Sequence, residues 1–240
     1  MHAPLREPLR ALLFDLDDTL WPITPVIERA ETLMFEWLQE RVPRVTEQYT
    51  IASMRSRRTE LITTHPHFRV DLWALRHTVL TEAFLACGAD TAHIDEAMAI
   101  FTTARNQVTL FDDVLTCLPR LAGKITLGSL TNGAADLQQI GLSQHFAVSL
   151  AAHQIGRAKP DPVVFHSACE ALGLPGSQVA YVGDDLRLDV EGAQKAGLAG
   201  IWINRHDATP AAECAHIQPD AVVTSLHELE QWLHLRGTIY

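Results

Sequence analysis

Acids, hydroxyls, amides and one amine gather at the ends of short apolar runs in this chain. The stretch ALLFDLDDTLW places Asp15, Asp17, Asp18 and Thr19 directly after a run that reads as a buried strand. ITLGSLTNG ends in Thr131, Asn132 and Gly133, GRAKPDP presents Lys159, and VAYVGDDLRLD ends in Asp184, Asp185 and Asp189. Unit charges about 4 Å apart repel by about 4 kcal/mol at an effective dielectric near ~20. A cluster of Asp15, Asp17 and Asp184 therefore calls for a cation. Mg2+ fits, because it is a hard ion that takes oxygen ligands and commonly sits among carboxylates, waters and a substrate phosphate. Zinc chemistry fits less well. The 12 histidines include His65 and His67 in HPH but no HExxH spacing, and they read as surface or core residues without a metal role.

Those residues need elements to bring them together. Residues 11–15 read as a strand, being a short apolar run that ends in a polar cluster. From about residue 25 to 107 the apolar positions recur at helical spacing, as in Ile27, Leu33, Met34, Trp37 and Leu38, then Leu72, Leu75, Val79, Leu80, Phe84 and Leu85. After Pro119 strand-like runs alternate with helical segments of about ten residues, the signature of βαβ units. The expected fold is α/β: a doubly wound, Rossmann-like parallel sheet at 1–21 and 111–240, with an inserted helical domain at 22–110. In such a sheet ligands bind beyond the carboxyl ends of the strands, at a topological switch point. Asp or Asn at a single strand end is an ordinary turn former or cap. Four such ends, in order along one sheet edge, point to a site.

Composition narrows the partners. The chain has 240 residues, 47% hydrophobic and 20% charged, enough for one large core or a core with a smaller appended unit. Its formal net charge of -10 and pI of 5.6 argue against a nucleic-acid polymer as partner, since backbone binding needs a concentrated basic face. No apolar run reaches the ~20 residues of a membrane span, and the opening MHAPLREPLR lacks the apolar stretch of a secretory signal. Cys87, Cys117, Cys169 and Cys214 are scattered with no CxxC pair, as expected of packed, reduced thiols in a cytoplasmic protein.

The ordered set DxDxT (Asp15, Asp17, Thr19), Thr131, Lys159 in KPDP, and GDDLRLD (Asp184, Asp185, Asp189) closely resembles the haloacid dehalogenase superfamily, and the insertion resembles its helical type 1 cap. That resemblance implies Asp15 as the nucleophile that forms an aspartyl-phosphate, and Asp17 as the acid that protonates the leaving group and later the base toward water. It implies Mg2+ held by the Asp15 and Asp184 side chains and by the Asp17 backbone carbonyl. Thr131 through its hydroxyl, and Asn132 and Gly133 in the same turn, would hold the phosphoryl oxygens. Lys159 would neutralise charge on Asp15 and the phosphate. Thr19 would order Asp17 or the turn, and the backbone N–H of Asp18 would face phosphate. Asp185 and Asp189 would order metal-bound water or the Lys159 side chain.

The implied activity is hydrolysis of a small-molecule phosphate monoester. Flanking segments are similar to the branch that includes phosphatases of flavin mononucleotide and of ribityl-aminouracil phosphate, with phosphoglycolate or a sugar phosphate as other substrates. A 2-haloacid dehalogenase shares the nucleophile but needs neither Mg2+ nor a leaving-group acid, so Asp17 argues against it. A phosphosugar mutase, a phosphoacceptor signalling domain and a non-catalytic phosphate-binding protein are the remaining readings. In a signalling domain the acid pair and the phosphorylated Asp lie on different strands, and no such insertion interrupts the fold. The insertion must select the substrate, and closure of such a cap would exclude water. Within it Arg55, Arg57 and Arg58 read as a solvated helix face or as partners of a substrate anion, and Trp37 and Trp73 read as core at their helical spacing, or as rings that stack on a substrate base.

Overall fold

A computed structural model describes residues 8–239; the first seven residues of MHAPLREPLR lie outside them. The chain forms two compact units, Met1–Pro22 with Thr109–Gly133 and Gly141–Tyr240, and Ile23–Val108 with Ala134–Ile140. In chain order, β1 (Ala11–Phe14) is followed by α1 (Ile23–Arg41), α2 (Pro43–Thr46), α3 (Ile51–Thr64), α4 (Leu72–Ala86) and α5 (Ile94–Arg105). Then come α6 (Val114–Ala122), β2 (Thr126–Thr131), α7 (Leu137–Ile140), β3 (Val148–Ala151), α8 (Ala152–Ile155), α9 (Pro162–Leu172) and β4 (Val179–Gly183). A π-helical turn at Leu186–Glu191 leads into α10 (Gly192–Lys195), β5 (Ala199–Ile203), β6 (Ala221–Val223) and α11 (Leu226–Leu235).

The first unit is built on six parallel strands in the order β3-β2-β1-β4-β5-β6. β1 lies between β2 and β4, so the chain reverses its direction of winding there, and a switch point opens beyond the β1 and β4 carboxyl ends. Ala11 and Leu13 face one way and share a cluster with Leu130, Tyr181, Phe165 and Ala168. Leu12 and Phe14, which alternate with them, are also fully buried. A strand buried on both faces reads as an unbroken apolar run, which is why ALLF shows no alternation. Full burial of such side chains stabilises by roughly 1.5–3 kcal/mol each.

Local signals place the helices. Asp161 caps α9 by accepting from the Val163 N–H, Pro162 opens it, and Gly173 ends it at a φ of 66° that a side chain rarely adopts. In the second unit Thr50 and Ser53 form a reciprocal capping box on α3, and Asp71 caps α4. Met34, Leu38, Val79, Leu80, Phe84 and Phe101 belong to that unit's core. Trp37 packs half-buried against it, but Trp73, read as core from its spacing, is 45% exposed and stacks on His77. Residues 134–140, expected as part of a helix in the sheet-bearing domain, group with the helical unit. There the Asp136 N–H donates to Asn106 Oδ1 at 2.9 Å. Only Leu137–Ile140 of AADLQQIGL is helical.

One buried ion pair holds the loop after β1. Arg205 donates to the Thr19 carbonyl from Nε (3.1 Å) and Nη2 (2.8 Å) and to Asp113 Oδ2 from Nη1 (2.5 Å). The same Asp113 oxygen accepts from the Leu226 N–H at the start of α11. Removing one partner strands a buried charge. Arg205→Met is therefore expected to lower stability by about 3–5 kcal/mol in urea unfolding, partly recovered by adding Asp113→Asn. A loss below about 1 kcal/mol would mean that water screens the pair.

Candidate active site

Asp15 is the first residue beyond β1 and Asp184 the first beyond β4. The Asp15 N–H donates to the Val182 carbonyl (2.9 Å), continuing the strand pairing, so the β1–β4 ladder sets where the two carboxylates stand. Lys159 lies in the loop between α8 and α9. Its ammonium is buried and meets Asp15 Oδ1 at 2.7 Å, Asp189 Oδ1 at 2.6 Å and the Tyr181 hydroxyl at 2.9 Å. Three donors thus find three acceptors. The Tyr181 hydroxyl in turn donates to the Leu130 carbonyl at 2.6 Å.

Asn132 clamps that lysine from the backbone side. The Lys159 N–H donates to Asn132 Oδ1 (2.8 Å), and Asn132 Nδ2 donates to the Lys159 carbonyl (3.1 Å). Thr131 Oγ1 accepts from the Gly133 N–H at 2.9 Å, so the TNG turn folds around its own hydroxyl. Asp189 reaches Lys159 because the turn after Asp185 is a π-turn and because Gly183 has no side chain. A Cβ there would stand 2.3 Å from Asp189 Oδ2. That oxygen accepts from the Asp185 N–H at 2.9 Å.

Several placements differ from the sequence expectation. The Thr19 hydroxyl donates to Asp184 Oδ1 (3.3 Å), whereas Asp17 Oδ1 accepts from the Trp21 indole N–H (2.9 Å). Residues 17 and 21 form a β-bridge across a tight turn, and Asp18 at its tip has a φ of 57°. The Asp18 N–H, expected to face phosphate, donates to the Trp21 carbonyl at 2.7 Å. Asp185 caps the π-turn through the Arg187 and Leu188 N–H groups. Trp21, Tyr181 and Trp202, whose indole donates to the Asp184 carbonyl, belong to this frame and carried no signal beyond apolar patterning.

Ligand oxygens of Asp15, Asp184 and Asp189 lie within 4.8 Å of one another. Against three carboxylates stands one ammonium, a deficit that a divalent cation would offset. The donors are all oxygens, suited to a hard ion. Both Asp189 oxygens are engaged, by Lys159 and by the Asp185 N–H, which leaves Asp15 and Asp184 as the better side-chain ligands. Burial pushes the Asp15 carboxyl well above its ordinary range; Lys159 opposes this, while Asp189 and Asp184 add to it. Burial, Asp189 and Asp18 push Asp184 up to about 7. Burial also disfavours the Lys159 ammonium, but Asp15 and Asp189 outweigh it and hold the pKa well above its usual value. A second set within the same distance among the described residues, Cys117, His227 and Glu230, already surrounds a cation. Arg120 Nη2 lies 2.8 Å from Glu230 Oε2 and 3.3 Å from Cys117 Sγ.

Residues 9–197 match the haloacid dehalogenase-like hydrolase family. A 5-amino-6-(5-phospho-D-ribitylamino)uracil phosphatase of Escherichia coli K12 is 31% identical over 206 residues, 84% of this chain and 86% of its own. A pyrimidine 5'-nucleotidase of the same strain is 34% identical over 177 residues, 70% of each chain. A crystal structure described as a 2-haloacid dehalogenase from Pseudomonas syringae pv. Tomato DC3000 is 34% identical, with a TM-score of 0.87 over 95% of this chain and 99% of that one.

The Asp184 shift has a signed consequence. Its folded pKa, about 7, exceeds the ordinary 3.8, so its contribution to stability is full below about pH 4 and is lost as pH rises through 7. A cation that binds the ionised carboxylate reverses the loss. With chelator at pH 8, Asp184→Asn should unfold at higher temperature than the wild type, by about 1–2 kcal/mol after discounting for partial exposure, and should match it at pH 4. Added Mg2+ should stabilise the wild type more at pH 8 than at pH 5.5, and the variant little at either. Equal Mg2+ shifts at both pH values would overturn the assignment of Asp184 as a ligand.

Proposed function

Because the chain belongs to the haloacid dehalogenase-like hydrolase family, we propose that it is a cytoplasmic, Mg2+-dependent phosphatase of small-molecule phosphate monoesters. The observation that carries the reading is the buried Lys159 ammonium paired with Asp15 at 2.7 Å at the switch point of the sheet, with Asp184 within ligand distance. A further acid, Asp17, is two residues on and is held by the Trp21 indole. Four unpaired cysteines support a reducing compartment.

In this reading an Asp15 carboxylate oxygen attacks phosphorus, the ester P–O bond breaks, and the Asp17 carboxyl gives its proton to the departing alkoxide. Asp17, now ionised, takes a proton from water. The water oxygen attacks phosphorus, the acyl-phosphate bond breaks, and phosphate leaves with the Asp15 carboxylate restored. The Trp21 N–H holds one Asp17 oxygen and so orients the other. The Thr131 hydroxyl oxygen already accepts from Gly133, so its proton is the group offered to a phosphoryl oxygen. The Asn132 side chain is spent on Lys159, so its contribution to phosphate is the backbone N–H. Mg2+, held by Asp15, Asp184 and the Asp17 carbonyl, would supply positive charge where the phosphoryl group gathers negative charge.

Two of the relatives act by name on phosphates that carry a pyrimidine ring, which supports a flavin or nucleotide-like monoester as the substrate. The 34% identity to a structure described as a dehalogenase supports a second reading, displacement of halide from carbon by Asp15. That reaction gives Asp17 no task. Phosphate release from a panel of flavin, pyrimidine-nucleotide, sugar and carboxylate phosphates, and chloride release from 2-chloropropionate, each with and without Mg2+, should decide. Mg2+-dependent phosphate release, lost to below about 1% in Asp15→Asn, is expected. Chloride release without phosphate release would establish the second reading, and no preference for ring-bearing monoesters would sink the substrate class. Asp17→Asn should slow alkyl phosphates by about 10²–10⁴-fold and aryl phosphates less, because aryl oxides leave without a proton. Equal slowing would remove Asp17 as the acid.

A further inference from the structure

In the helical unit three guanidiniums share one carboxylate. Glu31 on α1 is 1% exposed. Arg55 and Arg58 from α3 and Arg76 from α4 reach it, Arg55 Nε at 2.6 Å, Arg76 Nη2 at 3.5 Å and Arg58 through Nη2. Arg58 and Arg76 are themselves only 13% and 11% exposed. Three positive charges against one negative leave an excess of two. Neighbouring acids are committed elsewhere: Glu60 and Glu82 pair with Arg57, and Asp71 caps α4. Arg105, buried on α5, adds further repulsion on Arg76.

Arg76 is the least satisfied member. Its Nε is buried without a hydrogen-bond partner, and its reach to Glu31 is the longest of those measured. Its guanidinium lies 3.5 Å from the centroid of the Phe101 ring, a contact that attracts the cation but carries no counter-charge. Burial and the Arg58 charge lower its pKa to about 10, and burial likewise lowers Arg58. Both stay charged at neutral pH. Buried like charges are costly unless an opposite charge meets them.

We propose that Arg55, Arg58 and Arg76 form a binding site for a small oxyanion, a carboxylate or a phosphate. Guanidinium forks match the paired oxygens of such groups and bind them by charge-assisted hydrogen bonds. Glu31 is the positioning residue, holding three mutually repelling side chains together. Arg55 is 45% exposed, so the cluster borders solvent on that side.

The test is binding of sodium phosphate and, separately, of malonate, at constant ionic strength with chelator present. It is followed through the arginine Nε–H signals of nitrogen-15-labelled full-length protein. A saturable shift of the Arg76 Nε–H is expected in the wild type. It should persist in Asp15→Asn and in Arg57→Gln, and weaken by at least about tenfold in Arg58→Gln and in Arg76→Lys, which keeps the charge but loses the fork. Absence of a saturable arginine shift in the wild type, or wild-type affinity in both Arg58→Gln and Arg76→Lys, would overturn the proposal. Tighter binding of phosphate than of malonate identifies a phosphate site, and the reverse a carboxylate site. The binding test does not rest on the phosphatase reading, so failure of that reading leaves its result standing.

Discussion

The buried Lys159 ammonium is the constraint around which the first unit is arranged. A charge removed from water needs hydrogen-bond acceptors and opposite charge together, and it has both in Asp15, Asp189 and Tyr181. Each acceptor imposes a further requirement. Asp189 needs a π-turn and a glycine at position 183, Tyr181 needs the Leu130 carbonyl, and the lysine's own backbone needs the Asn132 amide. Loss of Lys159 would leave Asp15 and Asp189 buried without a counter-charge. The frame therefore holds Asp15 in one position.

The lysine does not neutralise the site. Asp184 stands on the neighbouring strand end and shares the burial without sharing the ammonium, so its carboxyl rises to about 7. Such a shift at a sheet's switch point suits a place that receives another charge. Stability is given up there in the absence of a cation. The helical unit shows the opposite sign. Glu31 draws three guanidiniums inward and leaves positive charge unmatched.

The grouping of the candidate site's residues was largely legible in the sequence because a parallel sheet buried on both faces writes its strands as short apolar runs. Polar residues at the ends of such runs must face the switch-point edge. ALLF followed by Asp15, VAYVG followed by Asp184, and SLT followed by Asn132 all obey that logic. What the pattern could not show is which polar group meets which. Thr19 bonds Asp184 and not Asp17, Asp18 turns its N–H onto Trp21, and Tyr181 and Trp202 pass for ordinary apolar strand residues until their polar tips are placed. Trp73 shows the same limit in a helix. Spacing allowed it a core position, but that stretch of α4 leaves it exposed on His77.

The sequence by itself determined the α/β architecture, the polar residues at the strand ends and the oxygen-rich donor set suited to a hard cation. These follow from local patterning and from residue type, which neighbouring residues in the chain suffice to specify. Tertiary structure alone decided which of Asp185 and Asp189 meets Lys159, that Asn132 clamps the lysine's backbone, and that Arg58 turns inward to Glu31 while Arg57 pairs with Glu82. Those pairings join residues tens of positions apart. Their energies depend on burial and on distances of a few ångströms, which only the packed chain defines.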